Sequence, residues 1–419
     1  MTTLVIGAGM AGLAAAYTLN QAGRDVIVLE ARDRIGGRTY TNRDFAGIPV
    51  EFGAELIHGD RVFTWEWVHK LSLKTVHWAK TDDSMVRMED GRWLTMAEAR
   101  AASPDFDITR SWELPNIPAK PDEDWGTYLR RIGFTEEQLQ YVKRSFANAV
   151  GDDMRYISAE AILEELNVGD AENGIGDYRI LDGYDAIYNV LADGLDIRLN
   201  TVVERIAWDV IGVKLTTSTG SYEAANAIIT LPLGVLQSGN VKFSPELPPN
   251  KQEALAGLKM GPVMKLIYEF DSPILERRIG AIYSRHNPPM WWTPSLGRDE
   301  NVFVWTAFFS GDWAREMLEL GEEKAIAKGL ETLRTELGKP SLHYIRATMV
   351  NWPDDPFSLG GYSVTLPGHA DARAKLATPT PPLYWAGEAA APHYATATVH
   401  GAYMTGLRTA DEILNLNRD

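Results

Sequence analysis

The chain has 419 residues, 45% of them hydrophobic and 23% charged, the balance of a soluble globular protein long enough for two domains. Lys and Arg number 41 against 57 Asp and Glu, a formal net charge of -16, which argues against nucleic acid as a partner and favours the approach of cations. Cysteine is absent, so disulfides and thiolate metal sites are excluded and no metal is expected. Nor does any apolar run reach the roughly 18 to 20 residues of a membrane span, and the N-terminus enters a strand with no leader pattern. No membrane partner and a cytoplasmic location are the default expectations.

In chain order, Thr3 to Ile6 reads as a short apolar strand and Gly7-Ala8-Gly9-Met10-Ala11-Gly12 as a turn. Leu13 to Gln21 then reads as a helix and Asp25 to Glu30 as a second strand, a βαβ opening. Further on, Ile197 to Ile206, Gly212 to Thr217 and Ala227 to Leu231 suggest strands, the last stopped by Pro232. Glu322 to Glu336 has the apolar spacing of an amphipathic helix that covers a sheet face, with Gly338 and Pro340 as stop signals. Pro- and Asp-rich stretches at Pro115 to Asp124, Pro245 to Asn250 and Thr378 to Pro382 suit crossings between domains.

Gly7, Gly9 and Gly12 form GxGxxG between a strand and a helix. Missing side chains there let the backbone turn tightly, and the helix N-terminus that includes Met10 and Ala11 can meet a pyrophosphate. Glu30 ends the next strand, where a carboxylate accepts hydrogen bonds from an adenosine ribose and disfavours a 2′-phosphate. The continuation Glu30-Ala31-Arg32-Asp33-Arg34-Ile35-Gly36-Gly37-Arg38 adds a second glycine pair and an arginine, groups that suit phosphates.

That run resembles the signature of the flavin amine oxidases, in which a Gly-Gly-Arg turn lies along FAD. The resemblance extends to Val50-Glu51-Phe52-Gly53-Ala54-Glu55-Leu56-Ile57-His58-Gly59. By this match Ala54, Glu55 and Leu56 lie along the flavin and His58 faces the amine. Gly261-Pro262-Val263-Met264-Lys265 looks like the strand-borne lysine that holds a water near flavin N5, where hydride arrives. Asn351-Trp352 and Gly360-Gly361-Tyr362-Ser363 look like the ring-flanking tryptophan and one wall of an aromatic cage. Trp385-Ala386-Gly387-Glu388 and Ala397-Thr398-Val399-His400-Gly401-Ala402 look like the closing motif: Gly387 and Glu388 near the ribityl and pyrophosphate groups, Ala397, Thr398 and Val399 at a helix start aimed at flavin N1 and O2. The resemblance also places Val203 on the cofactor. Where covalent monoamine oxidases carry a flavin-linked cysteine this chain has Tyr362, so FAD is expected to be non-covalent. Thr398 replaces their second cage tyrosine, a form closer to the polyamine and spermine oxidase and histone lysine demethylase branch.

These matches imply an α/β fold: a Rossmann-like FAD-binding domain from 1–59, 182–260 and 376–419, with an interleaved mixed-sheet and helical substrate domain from 60–181 and 261–375. The implied reaction is oxidation of an amine C–N bond by hydride transfer to flavin N5, with O2 reduced to hydrogen peroxide and the imine hydrolysed. Lys265, Tyr362, His58, Trp352 and Thr398 are the expected catalytic-site residues. A small-molecule amine and O2 are the expected partners. Polyamines are favoured, since Glu164, Glu165, Asp170 and Glu172 offer carboxylates to a second ammonium. A monoamine oxidase or L-amino-acid oxidase is the alternative, and a flavin desaturase or porphyrinogen oxidase a more distant one.

Overall fold

Thr3–Ile6 is buried at every position, so this strand needs a neighbour on each edge and cover on each face. In the computed structural model, which describes residues 2–78, 84–88, 90–102, 114–275, 279–298 and 301–415, it is the centre of a five-stranded parallel sheet. The order is Asp196–Arg198, Val26–Leu29, Thr3–Ile6, Asn226–Ile229, Leu383–Trp385. One face is covered by the helices Met10–Gln21 and Val399–Asn415, whose Leu13, Ala14 and Ile413 share a core with Val5 and Val28. A four-stranded sheet built around Val203–Trp208 and Val213–Thr217 packs on the other face through Ile206 and Leu215.

Two expectations shift. The glycine helix starts at Met10 rather than Leu13, because the turn needs only Gly7 to Gly9. The stretch Ile197 to Ile206 is not one strand: Asp196–Arg198 ends the parallel sheet, the chain turns at Asn200 with φ 53°, and Val203–Trp208 enters the other sheet. Asparagine tolerates that left-handed conformation, and apolar pattern alone does not reveal the turn. The amphipathic helix spans Glu322–Leu337 and stops at Gly338 with φ 63°.

A second large sheet has seven strands, in the order Arg346–Asn351, Met264–Phe270, Phe303–Phe309, Met290–Trp292, Ala281–Tyr283, Ser84–Arg87, Trp93–Thr95. Its two faces are read from the period of two. Met264, Leu266, Tyr268, Trp291 and Phe309 pack under the helices Gly311–Leu320 and Glu322–Leu337. Lys265, Phe308, Met290 and Tyr283 are partners in register across four strands and point the other way. Opposite them, Leu56–His58, Asp177–Ile180 and Thr75–Trp78 form a small antiparallel sheet, and a helical lobe closes the side with Trp125, Phe146 and Ile162 in its core. Among the described residues no helix is long and apolar enough to cross a membrane, and no three His, Asp or Glu are grouped to hold a metal ion.

The first and last long helices cross at glycine. A Cβ on Gly406 would lie 2.2 Å from the Ala11 carbonyl oxygen and 2.9 Å from the Ala14 Cβ. Gly406→Val should therefore destabilise the protein by at least about 1–3 kcal/mol, read as a lowered thermal unfolding midpoint. Gly169→Ala, where nothing lies within 4 Å, should leave the midpoint unchanged or raise it.

Candidate active site and cofactor cradle

All five parallel strands end on one side, and a cavity of about 1080 Å³ opens there. That exceeds the roughly 300–1,000 Å³ of ordinary small-molecule sites. Every expected cofactor-binding or catalytic-site residue lines it except Gly12. Gly12 lies off the lining: a Cβ there would sit 1.9 Å from the Gly7 carbonyl oxygen, so it lets helix and strand approach closely enough to form the turn.

At the strand ends the two glycine turns are joined. Gly36 N donates to the Ala8 carbonyl at 2.8 Å, and a Cβ on Gly37 would come within 3.2 Å of the Gly9 Cα. Gly9 caps the helix without a side-chain partner, leaving first-turn N–H groups for an anion. The buried Glu30 is held by two backbone donors, Ala8 N at 2.7 Å and Arg32 N at 2.9 Å, and faces the same space. This side-chain-free cradle ending in an acid fits the pyrophosphate and ribose of an adenine dinucleotide.

The arginines are committed to protein partners. Arg32 donates to Asp355 at 2.6 Å and Ser358 at 3.0 Å; Arg38 donates to the Gly361 carbonyl at 2.7 Å and to Glu388 at 2.9 Å. Burial would raise Glu388, but the charges of Arg38 and Arg373 hold it below the usual carboxylate range. Arg373, missed in the sequence, is itself buried, donates to Ser363 and Thr365, and is pushed down to about 10 by that burial. It was hidden because a surface-type helix, Ala372–Ala377, carries it inward.

At the start of the last helix, Thr398 Oγ accepts from Gly401 N at 3.0 Å and donates to the Ala395 carbonyl at 2.7 Å. Its hydroxyl is a helix cap. Ala397 precedes it with φ 57°, a strained conformation for a residue with a Cβ. His400 also lines the cavity, with Nε2 lacking a partner, and burial pushes it down to about 3, so it is neutral.

Beyond the cradle the cavity becomes an aromatic chamber. Trp352 is buried, its Nε1 donating to the Phe52 carbonyl at 3.3 Å. Tyr362 donates to the Ala149 carbonyl at 2.5 Å, with its hydroxyl pushed up by burial. Trp292 and Phe308, missed in the sequence, complete the walls; the run Met290-Trp291-Trp292 was the signal for the first, and strand alternation decides which tryptophan faces in. Lys265 projects into this apolar wall. Its ammonium donates to the carbonyls of Glu51 at 2.9 Å and Gly53 at 2.7 Å, and lies 3.6 Å from Glu55. Burial lowers its pKa, opposed by Glu55 and Glu51.

Glu55 lines the cavity, yet its carboxylate turns away to Arg179 at 2.8 Å and Trp292 Nε1 at 2.8 Å. At the mouth His58 hydrogen-bonds through Nδ1 to Asp177, its register partner. The helix Ala159–Asn173 lays one face on the cavity: Ile162, Glu165, Leu166, Gly169, Asp170 and Asn173. The helical period separates the acidic stretch accordingly. Glu165 and Asp170 line the cavity; Glu164 and Glu172 are exposed off that face.

Glu165 is pushed up to about 7 by burial, only partly offset by Arg373. The folded state therefore holds this proton more tightly than the unfolded chain does, and ionising it costs stability as pH rises from about 4.5 to 7. Glu165→Gln should raise the thermal midpoint above pH 7 and leave it unchanged below about pH 4.5, measured by calorimetry across that range.

The family model for flavin containing amine oxidoreductases matches residues 10–414. Polyamine oxidase 4 of Oryza sativa subsp. japonica is 31% identical over 98% of this chain and 88% of its own length. Lysine-specific histone demethylase 2 of Homo sapiens is 28% identical over 98% of this chain and 53% of its own. Among solved structures, wild-type putrescine oxidase bound to putrescine superposes with a TM-score of 0.81 at 22% identity, covering 99% of each chain. Cyclohexylamine oxidase from Brevibacterium oxydans superposes with 0.83 at 21% identity, covering 100% of this chain and 99% of its own.

Proposed function

The chain belongs to the flavin-containing amine oxidoreductase family, whose cofactor is FAD, and on that premise we propose that it oxidises polyamines with O2 as electron acceptor. The observation that carries this reading is the continuity of one cavity from the glycine cradle to an aromatic chamber holding a buried lysine, with carboxylates on its outer helix face. Bound FAD would supply the redox chemistry, as acceptor for hydride from the carbon α to the amine and as source of the electron pair that, with two protons, reduces O2 to hydrogen peroxide. The iminium left on the substrate adds water and releases an aldehyde and an amine.

The protein's part is binding, orientation and exclusion of water. The backbone at Gly7, Gly9, Met10 and Ala11 would hold the pyrophosphate, and Glu30 the ribose. Ala31, Gly36, Gly37, Arg38, Val203, Gly387 and Glu388 border the same length of cavity. The helix start at Thr398 and Val399 would place positive potential near the pyrimidine end of the ring. Trp352 and Tyr362 would wall the chamber. With Tyr362 at the turn and no cysteine in the chain, we take the cofactor as non-covalent. His58 would accept a hydrogen bond from an amine entering at the mouth. Glu165 and Asp170 would attract a second ammonium, so that a diamine or longer chain lies along the helix face. We assign 1–59, 182–260 and 376–419 to the cofactor domain, and 60–181 and 261–375 to the substrate domain, because the cradle residues fall in the first set and the chamber walls Lys265, Trp292, Phe308, Trp352 and Tyr362 in the second.

A peroxide-coupled oxygen-uptake screen over spermine, spermidine, acetylated polyamines, benzylamine, phenethylamine and L-amino acids tests this. Turnover of a long polyamine with anaerobic bleaching of the flavin is expected; turnover of aryl amines alone would overturn the polyamine assignment. Lys265→Met should retain FAD yet slow flavin reduction or reoxidation by roughly 10²-fold or more, the scale of other electrostatic groups at reacting centres. Unchanged rates of both steps would remove Lys265 from the mechanism.

A further inference from the structure

Two of the three donors on the Lys265 ammonium are spent on main-chain carbonyls, those of Glu51 and Gly53. A neutral lysine amine has two N–H groups, and these same carbonyls satisfy it fully. The two protonation states therefore differ only at the third position, which carries a proton in one and a lone pair in the other. The nearest carboxylate, Glu55, lies 3.6 Å away, beyond hydrogen-bond distance, so it acts on the ammonium through its charge and does not take up that third proton.

We propose that Glu55 is a positioning residue that keeps Lys265 protonated and seats Trp292, so that Lys265 presents an N–H donor, rather than a lone pair, to the flavin end of the chamber. This deepens the reading above and rests on the flavin ring lying beside Lys265. Glu55 is built for the task. It is buried at 5% exposure and spans three strands, accepting from Arg179 of the small sheet and from Trp292 Nε1 of the large one while facing Lys265, two strands from Trp292 in that large sheet. The charged groups around Lys265 are Glu55, Glu51 and Arg179, with Arg298 acting on Glu55. Glu51 is tied to Thr41 at 2.7 Å and Tyr184 N at 2.9 Å, and burial pushes it up to about 7. Near neutral pH it is partly protonated, which makes Glu55 the steadier anion: burial would raise it, but Arg179 and Lys265 hold it low. Removing that anion leaves Lys265 among cations in an apolar wall, and the third proton is lost more easily.

The test uses FAD-loaded protein titrated towards alkaline pH by flavin absorbance, a readout independent of amine turnover. Lys265→Met identifies the transition that belongs to Lys265 by removing it. Glu55→Gln should lower that transition by about 1–3 pH units, the usual effect of one opposite charge within about 4–6 Å. Glu55→Asp, whose carboxylate is withdrawn by one methylene, should lower it by less, and Trp292→Phe should not lower it. The pH profile of substrate-driven flavin reduction should move in parallel. The proposal is overturned if the transition in Glu55→Gln stays at the wild-type position, if no Lys265-dependent transition occurs in either protein, or if Trp292→Phe lowers it equally. Should Glu55→Gln fail to fold or to hold FAD, an unmoved transition in Glu55→Asp overturns it. A protein that oxidises none of the amines yet shows the shift refutes the substrate reading and retains this one.

Discussion

A carboxylate taken out of water costs several kcal/mol unless its partners are already in place, and the Glu55 carboxylate is one whose partners come from across the chain. Arg179 lies 124 residues away, Trp292 237. Neither sheet can move relative to the other without breaking a bond to a buried charge. The chamber is therefore held at fixed width by electrostatics, while the cradle is held by glycine backbone contacts that allow no side chain. One cavity thus combines two kinds of constraint: steric where a cofactor must be approached closely, ionic where an ionisable group must stay buried.

Local chemistry in the sequence revealed the cradle well. Gly7, Gly9, Gly36 and Gly37 and the acid at Glu30 are needed by backbone geometry and hydrogen bonding that hardly depend on the rest of the fold. Lys265 was legible through the family resemblance, and a charge within an apolar strand has to face something polar. Residues whose placement depends on distant packing were not legible. Arg373 reads as a surface helix residue, and only its contacts with Ser363, Thr365 and Glu388 show it turned inward. Glu55 was placed along the flavin, and its backbone neighbourhood agrees, but the direction of its carboxylate depends on Arg179 and Trp292. The acidic stretch resolved into two inward and two outward residues only once the register of its helix was known, since four carboxylates within nine positions cannot share a face of period 3.6.

Family relatives named for different amines share this architecture, and the structure locates where they can differ. The parallel sheet and its turns would hold the one cofactor that the family shares. The chamber walls come from strands and helices that tolerate substitution on one face, because the other face carries the core. Tyr283, Met290 and Phe308 stand in a single row across the sheet, backed by Trp291, Trp305 and Phe309. Changing the row reshapes the chamber and leaves the core beneath intact.

The crossing of the last helix over the first at Gly406 and Ala11 bears on how the protein is made. The parallel sheet takes strands from residues 3–6, 26–29, 196–198, 226–229 and 383–385, so its last strand is synthesised long after its centre. On the ribosome the glycine turns wait, with apolar strands on an unfinished edge, until the closing helix arrives. Contacts of such long sequence separation fold slowly, and during that interval the nascent chain exposes its parallel strands to aggregation. Free FAD that reached the half-built cradle would find the Gly7 to Gly9 turn without the lining that residues 387–402 supply, so firm capture of the cofactor would wait on the last strand and the closing helix.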